Sequence, residues 1–315
     1  MAIELQIIAA LLLDLAVGDP RSLPHPVRLI ARFAAACETF FRKALPSKRL
    51  AGALTVTSVL LATAMTVAIL LNTVSLLFPW AYEIVSVLLL YTCFATHDLE
   101  KHSREVSQAL AEKNLPEARR RVAMIVGRDT EDLNEEDVAR ACVESVAENI
   151  VDGVTGPLFF AFLGGPIGAL LYKAINTMDS TFGYKNEKYK KFGMAAARLD
   201  DIANFLPARI SGLLVVCASF FLRMDPKASW RIFVRDRNQH ASPNAGQTEA
   251  AVAGALGLQF GGVNIYFGQP VTKPTIGDPT TSATEKHILK ANRILYAATG
   301  LAAACFTIFS LAIRL

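Results

Sequence analysis

Glu144, Glu148 and Asp152 are spaced four apart in the stretch ESVAENIVDGVTGP. Any helix that carries them turns all three carboxylates to one face, because four residues is close to one turn. Arg140 begins the same ladder and Asn149 lies beside it. The stripe stops where the uncharged run LFFAFLGGPIGALLY begins. Carboxylates held near a low-dielectric boundary must be paired or bound to a cation. The stripe is therefore read as candidate acid–base or metal chemistry, against the blander reading of a solvated helix face with one salt bridge.

Two further clusters follow. In YKAINTMDSTFGY, Lys173, Asn176 and Asp179 share a helical face, and Gly183 suits the helix end. One cation, one amide and one carboxylate within a turn of each other suit a phosphate and a metal together. In ARLDDIANFLPAR, Asp200, Asp201 and Asn204 sit between Arg198 and Arg209, and hard oxygen ligands of this kind suit Mg2+. Asp179, Asp200 and Asp201 are the metal candidates. Asn176, Arg198, Asn204 and Arg209 are candidates for binding substrate or phosphate.

The stretch DRNQHASPNAGQTEAAVAGAL is suited to anions. Ser242 is expected as a helix N-cap with Pro243 at the first helical position, leaving backbone N–H groups open to a phosphate or carboxylate. Arg237, Asn238 and His240 would flank that anion, and Asn244 is a further candidate for binding substrate or phosphate. Nearer the start, DLAVGDPRSLPHPVRLI leaves a first apolar helix through Gly18, Pro20, Pro24 and Pro26, and offers Asp14, Asp19 and His25. Histidine in a Pro-rich turn is read as structural. Asp14 differs, since an acid inside an apolar helix marks a paired or functional position.

The elements that position these groups are membrane helices. The chain has 315 residues, 52% hydrophobic and 19% charged, with a mean hydropathy of +0.34, too apolar for an ordinary soluble domain. Ala51 to Tyr82, Gly153 to Tyr172, Ala250 to Thr272 and Ile294 to Ile313 contain no Asp, Glu, Lys or Arg. Segments 18–50, 98–152 and 173–202 carry seven, eight and six basic residues, so all three are expected on the cytoplasmic side. That requires a hairpin over 52–97 turning near Pro79-Trp80. It also requires a break at Gly164-Gly165-Pro166 that makes 153–172 re-entrant. The same logic extends to 203–222 and 250–267.

The fold expected is an all-α integral membrane protein with about four to seven transmembrane helices, re-entrant or interfacial helices and a cytoplasmic helical layer. Residues 1–315 form a single polytopic domain in this reading, with the polar helical segment at about 98–152. The N-terminal helix is expected to be retained as a membrane helix, since no basic leader precedes it. The five cysteines, scattered and without a C-x-x-C pair, are read as reduced structural thiols. A net charge of +4 with no basic, aromatic-interleaved stripe gives no support for nucleic acid as a partner. A P-loop, a Rossmann fingerprint, a zincin motif and a nucleophile elbow are all absent from the sequence.

The stretches GDPRSLPHPVRLI, ESVAENIVDGVTGPLFFAFLGGPIGALLYKAINTMDSTFGY, FGMAAARLDDIANFLPARI and RDRNQHASPNAGQTEAAVAGALGLQFGG occur here in one order. In that order they closely resemble the CbiB/CobD cobalamin-biosynthesis proteins, the adenosylcobinamide-phosphate synthases. The resemblance implies a multi-pass enzyme of the bacterial inner membrane. It would join a carboxylate of adenosylcobyric acid to (R)-1-aminopropan-2-ol or its O-phosphate, with ATP and Mg2+. The partners implied are the corrinoid, the amine, the lipid bilayer and other late cobalamin-assembly enzymes. Glu144, Glu148, Asp152 and Lys173 become the catalytic candidates, with Asn149 binding substrate beside them.

Two other classes compete. A transporter would line an ion path with Asp14 and the acid clusters, but the sequence has no inverted repeat and its polar clusters lie at the ends of the apolar windows. A Mg2+-dependent transferase of polyprenyl diphosphates would need an aspartate-rich motif that these acids do not form.

Overall fold

Helix starts are written locally in this chain. Ser47, Asn114, Asn134 and Asp225 each accept a backbone N–H from the first turn of the helix they precede, removing one of its orphan donors. The computed structural model describes residues 1–20, 25–184 and 186–314. Pro24, expected in the turn after the first helix, lies outside them. The helices are α1 (Ile3–Val17), α2 (Pro26–Ala44), α3 (Lys48–Leu77), α4 (Pro79–Tyr91), α5 (Thr96–Ala111), α6 (Leu115–Val122) and α7 (Glu135–Ile150), then a π-helical turn (Val151–Thr155). After it come α8 (Gly156–Phe182), α9 (Met194–Ala203), α10 (Phe205–Phe221), α11 (Pro226–Asp236) and α12 (Ala245–Leu256). A hairpin of β1 (Phe260–Tyr266) and β2 (Gln269–Ile276) precedes α13 (Glu285–Arg314).

The chain divides into two compact units. The first comprises Met1–Ala95, Gly156–Asn204 and Phe306–Leu315. Its core joins Ile30, Ala34 and Cys37 of α2 to Ala51, Val56 and Val59 of α3 and to Met178 and Phe182 of α8. Gly52 is required there, because a Cβ on it would lie 1.9 Å from the Phe192 carbonyl oxygen. The second unit comprises Thr96–Thr155 and Phe205–Cys305. Its centre is α12, buried at every residue, whose Ala and Gly side chains let α7, α10 and α11 pack closely around it. Val106, Val143, Val146, Phe233 and Ile288 complete that core.

Among the described residues four helices are long and apolar enough to cross a membrane, Lys48–Leu77, Pro79–Ala111, Glu135–Phe182 and Glu285–Ile313, or five if α9 and α10 make one bent span. The expected hairpin turn at Pro79 is present between α3 and α4. The break in 153–172 is present too: Gly164 and Gly165 leave helical geometry, Gly165 with φ of 57°, ahead of Pro166. A helix of 48 residues is more than twice the length that crosses about 30 Å of hydrocarbon. It cannot cross as one straight span, and the Gly164-Gly165 break falls inside its uncharged part, 153–172.

Three expectations are corrected. At 15 residues α1 is shorter than the roughly 20 a span needs. The uncharged window 250–272 is not a span or a re-entrant helix but a 12-residue core helix and a β-hairpin. The acidic ladder is α-helical only through Glu148, because Asp152 falls in the π turn, where each turn takes up an extra residue and shifts it off the register. All five cysteines are free, as expected, with Cys37, Cys93 and Cys142 buried.

The orientation is open to a direct measurement. Cysteines placed at Lys43, Arg120, Lys188 and Arg235, after the native ones are replaced, should all react with an impermeant thiol reagent from the cytoplasmic side. Reaction at 188 only from the opposite side would show that 153–172 crosses completely.

Candidate active site

The second unit carries a polar cavity of about 110 Å³. Its floor comes from α7, which starts with an acid-rich first turn, Glu135, Glu136 and Asp137, favourable at a helix N-terminus. Two turns in, Glu144 is buried and fully engaged. One carboxylate oxygen accepts from the Arg128 guanidinium, and the other accepts the Gly261 N–H at 2.9 Å. Arg128 also donates to Asn264 Oδ1 at 2.7 Å. This buried pair therefore pins α7, the loop after α6 and β1 to one another. Gly261 cannot be replaced without strain: its φ is +82° and a Cβ would lie 2.2 Å from the Pro274 carbonyl oxygen.

Glu148, one turn further along, is exposed at the cavity. Asn149 donates to the Ser145 carbonyl oxygen at 2.9 Å, and Ser145 in turn donates to the Ile125 carbonyl oxygen at 2.7 Å. The opposite wall is the hairpin. Its two-residue turn, Phe267-Gly268, has φ of 52° and 72°, a conformation that matches the twist of paired strands. Non-glycine residues rarely adopt it. Asp129 holds it, accepting the Phe267 N–H at 3.2 Å and the Gly268 N–H at 2.7 Å. Tyr266 and Lys273 of this hairpin line the cavity, with the Lys273 ammonium 5.3 Å from the centre of the Tyr266 ring.

From the third side come His240 and Glu249. His240 Nδ1 accepts the Ser242 N–H at 3.0 Å, so in the neutral ring the proton sits on Nε2, 3.8 Å from Glu249 Oε1. Burial, with the Lys273 charge adding to it, holds the His240 pKa below its ordinary value. Burial also pushes the Glu249 carboxyl well above the usual range, and the Glu148 and Glu144 carboxylates push it the same way. Lys273 and Arg128 oppose that rise without cancelling it.

Residues 7–295 match the protein family described as CobD/Cbib protein. The chain belongs to that family. Proteins called Cobalamin biosynthesis protein CobD share 48% identity with it over 291 residues in Leptospira interrogans, covering 91% of each chain. Those of Geobacter metallireducens and Listeria monocytogenes share 50% over 276 residues and 46% over 297. These alignments cover 87% and 93% of this chain and 86% and 94% of the relative. No solved structure matches.

In this CobD/Cbib family member the cavity brings together Glu144, Glu148, Asn149 and His240 from among the sequence candidates. It adds Arg128, Glu249, Tyr266 and Lys273, which sequence reasoning missed. The salt bridge of the blander reading is not formed within the ladder, since Arg140 pairs with Asp137 at 2.6 Å and Glu144 with Arg128. Asp152 acts on Glu148 through its charge. Ser242 does accept backbone N–H groups, from Asn244 at 3.3 Å and Ala245 at 3.4 Å, but α12 starts at Ala245 with Asn244 at the N-cap position. The helix thus begins two residues later than the Ser-Pro signal suggested. Arg209 stacks on Phe205, its guanidinium 3.5 Å from the ring centre, and donates to Asn244 Oδ1 at 3.4 Å. Arg237 lies 5.1 Å from the Phe233 ring centre, and its charge acts on Arg209.

The remaining candidates belong to the first unit. Lys173, Asn176 and Asp179 lie on α8, which ends at Phe182 just before Gly183, as expected. Arg198, Asp200 and Asp201 lie on α9. Asn204 is buried between two neighbours, accepting from the Tyr172 hydroxyl at 2.7 Å and donating to Asp200 Oδ2 at 3.0 Å. His25 has the structural role expected of it: its Nδ1 accepts the Val27 N–H at 3.2 Å and caps α2, while Nε2 lies 3.6 Å from Asp19. Asp14 is buried in α1. Among the described residues no three His, Cys, Asp or Glu side chains converge as a metal cage.

Proposed function

We propose that this protein is an enzyme of cobalamin biosynthesis in the bacterial inner membrane. It joins the carboxylate of adenosylcobyric acid to (R)-1-aminopropan-2-ol or its O-phosphate at the expense of ATP. The observation that carries this reading is membership of the CobD/Cbib family over residues 7–295, with relatives named for cobalamin biosynthesis along nearly the whole chain. The chemistry of the second unit supports it. An amide does not form appreciably from a carboxylate and an ammonium ion in water, so the acid must be activated and the amine must lose a proton.

In the proposed route the corrinoid carboxylate attacks the γ-phosphorus of ATP and ADP leaves, giving an acyl phosphate. The amine nitrogen then attacks the acyl carbon and phosphate leaves. Arg209 and Arg237, two guanidinium groups close enough to repel each other, suit a shared phosphate or carboxylate ligand. Buried carboxylates suit the proton acceptor. Mg2+ fits as the counter-ion of the nucleotide, because it is held by one or two carboxylates together with phosphates, and no protein cage is present among the described residues. Asp179, Asp200 and Asp201 do not converge as a set of three, so one or two of these candidates would serve as its ligands. When bound it would neutralise charge on the transferring phosphoryl group.

Purified protein supplied with ATP, Mg2+, adenosylcobyric acid and aminopropanol phosphate tests the reaction by mass spectrometry. The corrinoid should gain the mass of one aminopropanol phosphate less water, with nucleotide hydrolysed in step. Product formed without nucleotide would remove the ATP-dependent route, and no product with either amine would overturn the assignment.

A further inference from the structure

The cavity in the second unit is short of positive charge. Among the described residues Glu144, Glu148 and Glu249 share this cavity with two cations, Arg128 and Lys273, and Arg128 is already committed to Glu144 and Asn264. His240, held neutral by burial, does not restore the balance. Glu249 is the carboxyl left over. It is only 7% exposed and lines the cavity, yet neither of its oxygens takes part in a hydrogen bond among the described residues. Its 3.8 Å contact with His240 is too long for one. Its oxygens open onto the cavity, so the donor they call for comes from whatever fills that space, water or a ligand.

The size of the space limits what the donor can be. A cavity of about 150 Å³ accommodates benzene, with its six heavy atoms. The 110 Å³ here, in a pocket open to solvent on one side, holds a group of about five heavy atoms, and a larger ligand would extend beyond it. A bare divalent ion is disfavoured because the described residues do not converge three ligands on one point.

We infer that this cavity binds a short primary alkylammonium ion, its –NH3+ group between Glu148 and Glu249, and that Glu249 then takes one of its protons. One N–H bond breaks and one O–H bond forms on Glu249, which frees the nitrogen lone pair for attack on an acyl carbon. The assignment of the amine as a substrate rests on the amide-forming reaction proposed above. The groups facing Glu249 fit the role. Glu144 and Glu148 from α7 raise its basicity, bringing it closer to that of an amine, and Arg128 and Lys273 moderate the effect. His240, presenting Nε2–H, fixes the remaining side.

Binding can be measured without nucleotide or corrinoid, by calorimetry on the full chain in lipid nanodiscs titrated with 1-aminopropan-2-ol. Three results are expected. The wild type binds and releases a proton when titrated below the Glu249 pKa, seen as heat that varies with the buffer's ionisation enthalpy. Glu249→Gln weakens binding at least tenfold while keeping the thermal unfolding transition, and Glu249→Asp retains the proton release. Propane-1,2-diol, which lacks the ammonium group, does not bind. Equal affinity in Glu249→Gln, equal affinity for the diol, or competitive displacement by Mg2+ alone would overturn the inference. Amine binding without any amide product would sink the reaction and keep the subsite. Product made at the normal rate by Glu249→Gln would sink the subsite and keep the reaction.

Discussion

Replacing Arg128 by Met is expected to cost about 3–5 kcal/mol, because it leaves the buried Glu144 carboxylate without its cation. The pair is 8% and 9% exposed at its two side chains, so solvent can repair little of the loss. Against a total stability of roughly 5–15 kcal/mol for a folded domain, such a change leaves the unit marginal. The expected readout is a thermal transition many degrees lower in detergent or nanodiscs, with lost protection of the hairpin amides. Removing both partners together, Arg128→Met with Glu144→Met, should recover much of the loss, because no uncompensated charge then remains. A single Arg128→Met variant within about 1 kcal/mol of the wild type would show that the pair does not hold this wall, since exposed pairs contribute no more than that.

The second large effect is on turnover. Glu148→Gln keeps the shape of the side chain, removes one negative charge and touches an exposed position, so the protein should stay folded and membrane-inserted. Amide formation should nevertheless fall by about two orders of magnitude, the scale on which a positioned acid or base acts. A normal rate in this variant would return Glu148 to the role of a solvated residue on a helix face.

Legibility from the sequence followed the range of the interactions involved. Breaks and apolar windows are local, and they located the α3–α4 hairpin, the Gly164-Gly165 break and the long final helix. The hairpin of β1 and β2 was hidden because its residues up to Thr272 are uncharged, and an uncharged run in an apolar chain reads as membrane. The alternation in GVNIYFGQPV, with Val263 and Ile265 turned outward and Asn264 buried, was the available signal. Glu249 also had one. It is a lone acid in a helix of Ala, Gly and Val, the argument applied to Asp14 and equally valid here. Arg128 and Lys273 had none. Their partners lie 16 residues away for the Arg128–Glu144 pair and 136 for Arg128 and Asn264, and no periodicity connects such positions.

The Asp129 carboxylate holds both amides of the Phe267-Gly268 turn, outside the set of residues that line the cavity. A lone two-stranded ribbon is marginal in water, so the wall that carries Tyr266 and Lys273 depends for its order on attachments beyond its own ladder. At Asp129 fastening is thus separate from lining, whereas its neighbour Arg128 does both. Substitutions at 129 can loosen or tighten the wall while the chemistry it presents stays constant, and substitutions at 266 or 273 can change the ligand while the wall stays latched. Selection for a different small molecule and selection for a different working temperature can therefore act here on separate residues.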